Sequence, residues 1–486
     1  MKKSIAKNYI YNLIYQMLTI LLPLVTTPYL SRVLGAEPIG IYGYTISIVT
    51  YFILFGTLGV SMYGQREIAY RAQDKKERSK AFWEIISIRT ITLSISILLF
   101  YLIYGRSGDY ALYYRILIIQ LIANMFDISW LFQGIEEFDK TVVRNLIVKL
   151  LSLVLIFVVI KTPNDLWKYF AIYVGAELIG NITLWLYTPK YLEKINIKEL
   201  ELKKHLKPTI ALFVPQIAIQ IYTVLDKTMI GNITNDMTEV GYYEQAQKIV
   251  KAALTVTTAL QTVMNSRIAN AYANKNEEEI KTCLKTSFNF VWFLTIPMAF
   301  GLMAIATKFV PWYYGAGFDG VIPIMIATSP ILIPIGLSGV TGIQYLVQIG
   351  KQKIFTISVT VGAIVNIVLN MILIHYFRGV GAVLSSIIAE ITILGIQLKY
   401  IRDQFKIKDI LKLAVKCLIA GIIMFLVVAL ITKYMPVSIM NTVIQIVVGG
   451  IVYLGVLIIL KYQFLKDIYN QVITGLKSKL NLEGNE

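Results

Sequence analysis

The sequence predicts an all-α polytopic membrane protein with about 14 transmembrane helices. Three observations carry that prediction. Of 486 residues, 56% are hydrophobic and only 15% are charged, with a mean hydropathy of +0.65. Apolar runs of about 20 residues recur along the whole chain, and a helix of that length crosses the roughly 30 Å hydrocarbon core. Most of the basic residues fall in alternate loops, as cytoplasmic loops of membrane proteins do.

The spans are centred near residues 20, 50, 93, 123, 153, 178, 217, 255, 295, 335, 364, 389, 423 and 449. Many are rich in Ile, Val, Phe and Tyr, which in a short segment favours strand; length decides for helix. The first, Tyr9 to Leu30, exceeds a signal-peptide core and is expected to stay as a helix. Pro23, Pro28, Pro215, Pro297, Pro330 and Pro334 lie inside spans and predict kinks. The seventh span is charge-free from Pro208 to Leu225, but the eighth only from Ala252 to Ser266. Fifteen residues reach about 22 Å, too short to cross, so the eighth helix must start earlier and carry Lys248 and Lys251 into the membrane. The inner loops Arg66 to Lys80 and Lys190 to Lys207 mix Lys with Glu at helical spacing and read as interfacial helices.

With the N-terminus inside, 34 of the 46 Lys and Arg fall on the inner side, 8 on the outer side and 4 within spans. Both termini are then cytoplasmic, and the net charge of +17 reflects topology rather than a nucleic-acid partner. The cysteines, Cys283 and Cys417, are far apart and suggest neither a disulfide framework nor a metal site.

An internal repeat divides the chain. A shift of 201 residues sets Pro38-Ile39-Gly40-Ile41-Tyr42 on Glu239-Val240-Gly241-Tyr242-Tyr243, and Ala176-Glu177 corresponds to Ala389-Glu390. This predicts an N-terminal six-helix lobe over 1–189, a cytoplasmic amphipathic linker over 190–207 and a C-terminal six-helix lobe over 208–400 in parallel repeat. Residues 401–486 supply a cytoplasmic loop, two further helices and a tail. Parallel repeats of this kind are typical of transporters.

The opening NYIYNLIYQMLTILLPLVTTPYLSRVLGAEPIGIYGY, the loop YGQREIAYRAQDKKERSKAFW, the span end FDISWLFQGIEEF and the stretch FRGVGAVLSSIIAE carry a resemblance over nearly the whole chain. They resemble the polysaccharide transporter family, which includes the Wzx-type oligosaccharide flippases. Its superfamily also holds multidrug antiporters and lipid II flippases. The resemblance implies a twelve-plus-two-helix fold with two lobes around a central cavity. It also implies a bacterial cytoplasmic membrane location and transfer of undecaprenyl-pyrophosphate-linked oligosaccharide repeat units to the outer leaflet. Partners implied are that lipid-linked oligosaccharide, membrane lipids and the polysaccharide polymerase and chain-length machinery.

Such a substrate brings a diphosphate and a hydrated glycan through hydrocarbon, so intramembrane polar groups are the candidates. Lys248 and Lys251 share a helix face, roughly 12 and 16 Å from the outer end of their helix. The first half has Ser47 and Thr50 at the equivalent positions, so a phosphate-binding pair there would be one-sided. Snorkelling to the interface, or neutralisation of Lys248 by Glu244, is the plainer account of the pair. Arg89 and Asp127 lie at equal depth on adjacent spans and are expected to pair, with Lys149 a competitor for Asp127. Glu177 and Glu390 near mid-depth are candidates for ion coupling or for interhelical hydrogen bonds. Asp226 and Lys227 read as a self-neutralising outer-edge pair. Asn12 with Gln16, and Gln216 with Gln220, are i,i+4 amide pairs suited to a cavity wall. Arg32 at the outer mouth and Arg66 at the inner mouth could guide phosphate.

There is no GxxxxGK[ST] loop, no HExxH and no His besides His205 and His375. The chain is expected to be a transporter and not an enzyme, with no catalytic residues, metal or cofactor. A membrane polymerase or glycosyltransferase would need a large outer domain, which no loop is long enough to form. A cation-coupled multidrug antiporter is the nearer alternative, and it would need carboxylates in the first-half cavity.

Overall fold

The computed structural model describes residues 22–402 and 404–466, and every regular element among them is helical. In chain order these are α1 (residues 22–34), α2 (Ala36–Thr57), α3 (Val60–Tyr70), α4 (Lys75–Phe100), α5 (Ala111–Met125), α6 (Ser129–Gly134), α7 (Phe138–Val159), α8 (Leu166–Trp185), α9 (Thr188–Tyr191) and α10 (Lys203–Thr234). There follow α11 (Met237–Ala273), α12 (Glu277–Tyr314), α13 (Val321–Thr328), α14 (Leu332–Ser338), α15 (Gln352–Ile401), α16 (Ile407–Tyr434) and α17 (Ile439–Ile459).

Ten helices among the described residues are long and apolar enough to cross a membrane. The longest of these, α15, is two helices meeting at Arg378, whose backbone is non-helical at φ 51°, ψ −128°. Its halves fold back on each other: Asn366 Nδ2 donates to Ser386 Oγ at 3.1 Å and Gln397 Nε2 to Ser358 Oγ at 3.0 Å. The three other expected spans are the first, described from residue 22, and α10 and α11. Of these, α10 is charge-free from Pro208 to Leu225, whereas α11 carries Lys248 and Lys251 among its apolar residues. Apolar side chains stand exposed on single helix faces, for example Leu150, Leu151, Val154, Leu155 and Val158 of α7. Water would penalise such a face, whereas hydrocarbon covers it without cost.

The chain forms two compact units, Met1–Glu244 with Tyr314–Gly317, and Gln245–Tyr313 with Phe318–Glu486. In the first, Phe82 of α4 stacks on Trp130 of α6 with centroids 5.3 Å apart, and Gly64 of α3 leaves room for the indole. A Cβ on Gly40 of α2 would stand 1.6 Å from the Met237 carbonyl oxygen, and one on Gly241 2.1 Å from that of Ala36. Ala36 and Met237 are themselves related by the 201-residue shift, so the repeat-equivalent helices α2 and α11 touch through equivalent backbone atoms.

Neither inner loop is a separate helix. Asp74 caps α4 by accepting from Glu77 N at 3.0 Å, so the first loop is a tight turn whose remainder is already part of α3 and α4. The linker before α10 is irregular from 192 to 202 apart from the 3-10 turn Ile197–Glu199, and α4 binds its backbone. Arg78 Nη2 donates to Tyr191 O at 2.7 Å, Ser79 Oγ accepts from Glu193 N at 2.8 Å, and Glu84 Oε1 accepts from Glu201 N at 2.8 Å. The start of α10 is held by the same fully buried Glu84, whose Oε2 lies 2.8 Å from His205 Nε2 and 3.0 Å from Lys204 Nζ. His205 Nδ1 is 2.6 Å from Tyr63 Oη.

In the second unit α16 and α17 pack on α12. Tyr453 Oη donates to Phe293 O at 3.0 Å and Tyr462 Oη to Asn289 Oδ1 at 2.9 Å. Pro297 and Pro311 lie inside α12, and Pro330 sits in the 3-10 turn that separates α13 from α14. Cys283 and Cys417 are both buried free thiols.

Candidate functional site

Within the first unit, α1, α5, α6, α7 and α8 enclose a cavity of about 670 Å³. Its polar wall comes from one-turn spacings. Asn124 and Asp127 are three residues apart where α5 ends, and Glu177 and Asn181 are four apart on α8, so each pair presents one helix face. Arg144 and Lys149 of α7, with Tyr173 of α8, complete it, while Leu22, Val148, Leu153 and Ile156 form an apolar side.

These groups are tied to one another. Asn181 Nδ2 donates to Ala123 O at 2.7 Å, which fixes the amide, and its Oδ1 accepts from Arg144 Nη1 at 2.5 Å. Gly180 makes the approach possible, because a Cβ there would meet Val148 at 3.0 Å and the Arg144 stem at 3.2 Å. Glu177 Oε1 accepts from Asn124 Nδ2 at 3.2 Å. Gln120 of α5 lies beside Glu177 and Tyr173; its backbone carbonyl accepts from Asn124 Nδ2 at 3.0 Å, and its side-chain Oε1 is buried without a protein partner. Asp127 Oδ1 accepts from Ser129 N at 3.0 Å, which starts α6, and its Oδ2 lies 3.4 Å from Arg89 Nη2. Arg89 is 1% exposed and also donates to Ser61 Oγ at 3.3 Å. Burying guanidinium and carboxylate together avoids an uncompensated intramembrane charge.

Charged and amide side chains lining a cavity within membrane-spanning helices are the furnishing of a transporter: they offer polar contacts at a depth where bare hydrocarbon offers none. The chain belongs to the polysaccharide biosynthesis protein family, whose model matches residues 5–264. A second family model, lipid II flippase MurJ, matches residues 141–453. The chain is 25% identical over 413 residues to the putative O-antigen transporter of Escherichia coli K12, covering 83% of this chain and 98% of that one. Against the Shigella dysenteriae protein of the same description it is 24% identical, covering 79% and 96%. Its fold is that of lipid II flippase MurJ in the inward closed conformation, with TM-score 0.76 at 20% identity over 96% of this chain and 100% of that one. An inward-facing multidrug resistance MATE transporter matches with TM-score 0.65 at 17% identity, covering 82% and 99%. The chain is thus a multi-pass membrane transporter and not an enzyme.

The residues singled out from the sequence are dispersed. Asp127 and Glu177 line the cavity, and Arg89 reaches it through Asp127. Lys248 and Lys251 lie in the second unit on α11, half-buried and exposed respectively. Glu390 is buried there, with Ser338 Oγ donating to its Oε2 at 3.4 Å. Asp226 and Lys227 do not neutralise each other: Tyr243 Oη donates to Asp226 at 2.5 Å, and Lys227 Nζ lies 2.7 Å from Glu244. Adjacent residues on a helix point about 100° apart, so each finds its partner on α11 instead. Glu244 is therefore engaged by Lys227. Arg32 Nη1 donates to Pro28 O at 2.9 Å, and Arg66 lies over the Tyr63 ring at 5.4 Å. Asn12 and Gln16 fall outside the described residues, as does the side chain of Gln216, while Gln220 is exposed.

Sequence reasoning missed Arg144, Asn181, Asn124 and Tyr173. Arg144 precedes the apolar run that begins at Leu146, yet α7 starts at Phe138 and includes it. The Asn124/Asp127 and Glu177/Asn181 spacings were the available signal.

Proposed function

We propose that this chain is a flippase moving undecaprenyl-pyrophosphate-linked oligosaccharide repeat units from the inner to the outer leaflet of a bacterial cytoplasmic membrane, by alternating access, with both termini cytoplasmic. The observation that carries the reading is the polar cavity of the first unit, set among membrane-spanning helices in a member of the polysaccharide biosynthesis protein family. Relatives described as O-antigen transporter and lipid II flippase support it. In this reading the repeat halves 1–189 and 208–400 are the moving lobes. Lys248 and Lys251 hold pyrophosphate, assisted by Arg89, Arg32 and Arg66 along the route, and the glycan leaves toward a polymerase and its chain-length partner. Deleting the gene tests the reading: lipid-linked repeat units should accumulate on the inner leaflet while surface polysaccharide disappears.

One observation favours a second reading, a cation-coupled multidrug antiporter: Asp127 and Glu177 are carboxylates in the first-half cavity. Arg144 and Lys149 in the same wall oppose it, since they repel an organic cation. If the deletion leaves lipid-linked intermediates unchanged and raises sensitivity to cationic drugs, the antiporter reading replaces the flippase.

A further inference from the structure

Resting on the flippase reading, we infer that the cavity of the first unit reads the uncharged sugar next to the pyrophosphate and does not hold the pyrophosphate itself. Its wall holds two cationic side chains, Arg144 and Lys149, two carboxylates, Glu177 and the Arg89-paired Asp127, and the amides of Asn124, Asn145 and Asn181. A pyrophosphate uses only donors and is repelled by a carboxylate within reach, so Glu177 and the acceptor oxygens of this wall would work against it. A sugar ring uses donors and acceptors alike: each hydroxyl donates one hydrogen bond and accepts others, and an N-acyl group adds one N–H and one carbonyl.

The geometry is also that of a fixed receptor. Asn181 is 5% exposed and spends its amide N–H on the Ala123 carbonyl, so its oxygen can only face Arg144, and the guanidinium is held in one place. Glu177 is oriented in the same way by Asn124, whose Nδ2 also donates to the Gln120 carbonyl. Side chains locked before the ligand arrives lose little entropy on binding, which is how hydroxyl recognition becomes selective. The apolar side formed by Leu22, Val148, Leu153 and Ile156 gives a ring face something to lie against, as in most small-molecule pockets. Asn181 is a positioning residue in this scheme, and Arg144 and Glu177 touch the sugar.

The test is binding of two probes to the purified full chain in detergent: undecaprenyl pyrophosphate, and undecaprenyl-pyrophosphoryl-N-acetylglucosamine. The wild type should bind the sugar-bearing lipid roughly tenfold or more tightly than the bare one, the size expected of one or two charge-assisted hydrogen bonds. In Glu177→Ala and in Asn181→Ala that ratio should fall toward one, with affinity for the bare lipid within about twofold of wild type. Retained bare-lipid binding shows that each variant is folded, and Glu177→Gln should recover part of the ratio. An unchanged ratio in both alanine variants overturns the inference, as does an equal loss for both lipids, which would place the pyrophosphate in this cavity. Both of those results leave the flippase reading standing. A wild type that binds neither lipid overturns both.

Discussion

Gly40→Ala probes the contact between the two halves of the repeat. The new methyl carbon would stand 1.6 Å from the Met237 carbonyl oxygen and 2.6 Å from its carbon, and no real Cβ approaches closer than about 3.0 Å. The obstacle is backbone, so no rotamer change relieves it, and α2 and the first turn of α11 must part by about 1.4 Å, the difference between those two distances. Overpacking of this kind costs about 1–3 kcal/mol, and an unyielding obstacle puts it at the upper end. Replacing Gly by Ala within a helix returns about 1 kcal/mol of backbone entropy, which leaves a net loss of about 2 kcal/mol. Gly395→Ala on α15 and Gly455→Ala on α17 meet nothing within 4 Å and serve as controls that should be neutral or slightly stabilising.

The reciprocal geometry sharpens the test. A Cβ on Gly241 meets Ala36 O at 2.1 Å, so its clash needs a separation of about 0.9 Å, which the displacement forced by Gly40→Ala already supplies. The double variant Gly40→Ala/Gly241→Ala should therefore cost about as much as Gly40→Ala alone, a strongly non-additive pair. Thermal unfolding in detergent, read by fluorescence of a size-exclusion peak, measures these four variants and the single Gly241→Ala. Additive losses, or a Gly40→Ala protein as stable as the Gly395→Ala control, would refute the reasoning.

Three further outcomes concern charged side chains. Glu84→Leu removes the acceptor of Glu201 N, Lys204 and His205 together, so the linker should become cleavable by trypsin between Lys194 and Lys207 while the wild type resists; equal cleavage would show that Glu84 does not hold it. Asp127→Ala leaves Arg89 buried without its carboxylate and should destabilise by about 3–5 kcal/mol, whereas Arg89→Leu/Asp127→Leu should be the more stable of the two proteins in the same melt. Lys251→Ala should reduce surface polysaccharide with the protein still present in the membrane fraction, and unimpaired export would remove Lys251 from the pyrophosphate route.

Fold class was legible because apolar length is a one-dimensional property: each crossing helix needs about 20 residues whatever its neighbours do. The 201-residue shift pairs Gly40 with Gly241, and at both positions only glycine allows two backbones so close. The linker over 190–207 misled because helical spacing of Lys and Glu says how a segment would pair its own charges in isolation. It says nothing of competing partners such as Arg78, Ser79 and Glu84 on α4, which take the linker's backbone groups.

The candidate site was half legible for the same physical reason. A buried charge is conspicuous in an apolar run, so Arg89, Asp127 and Glu177 stood out. Their partners did not, because an amide such as Asn181 is cheap enough to pass as background and Arg144 sits at the edge of its run. Only the fold brings them within 2.5 Å of each other, 37 positions apart in the chain. That pairing changes what the cavity can bind: with Arg89 and Asp127 alone it is a closed ion pair, whereas Arg144, Asn181, Asn124 and Glu177 add donors and acceptors already fixed in place. Recognition in this unit is therefore built from amides that orient charges, and the Asn181→Ala variant, which removes no charge, is the substitution that separates this arrangement from a simple electrostatic trap.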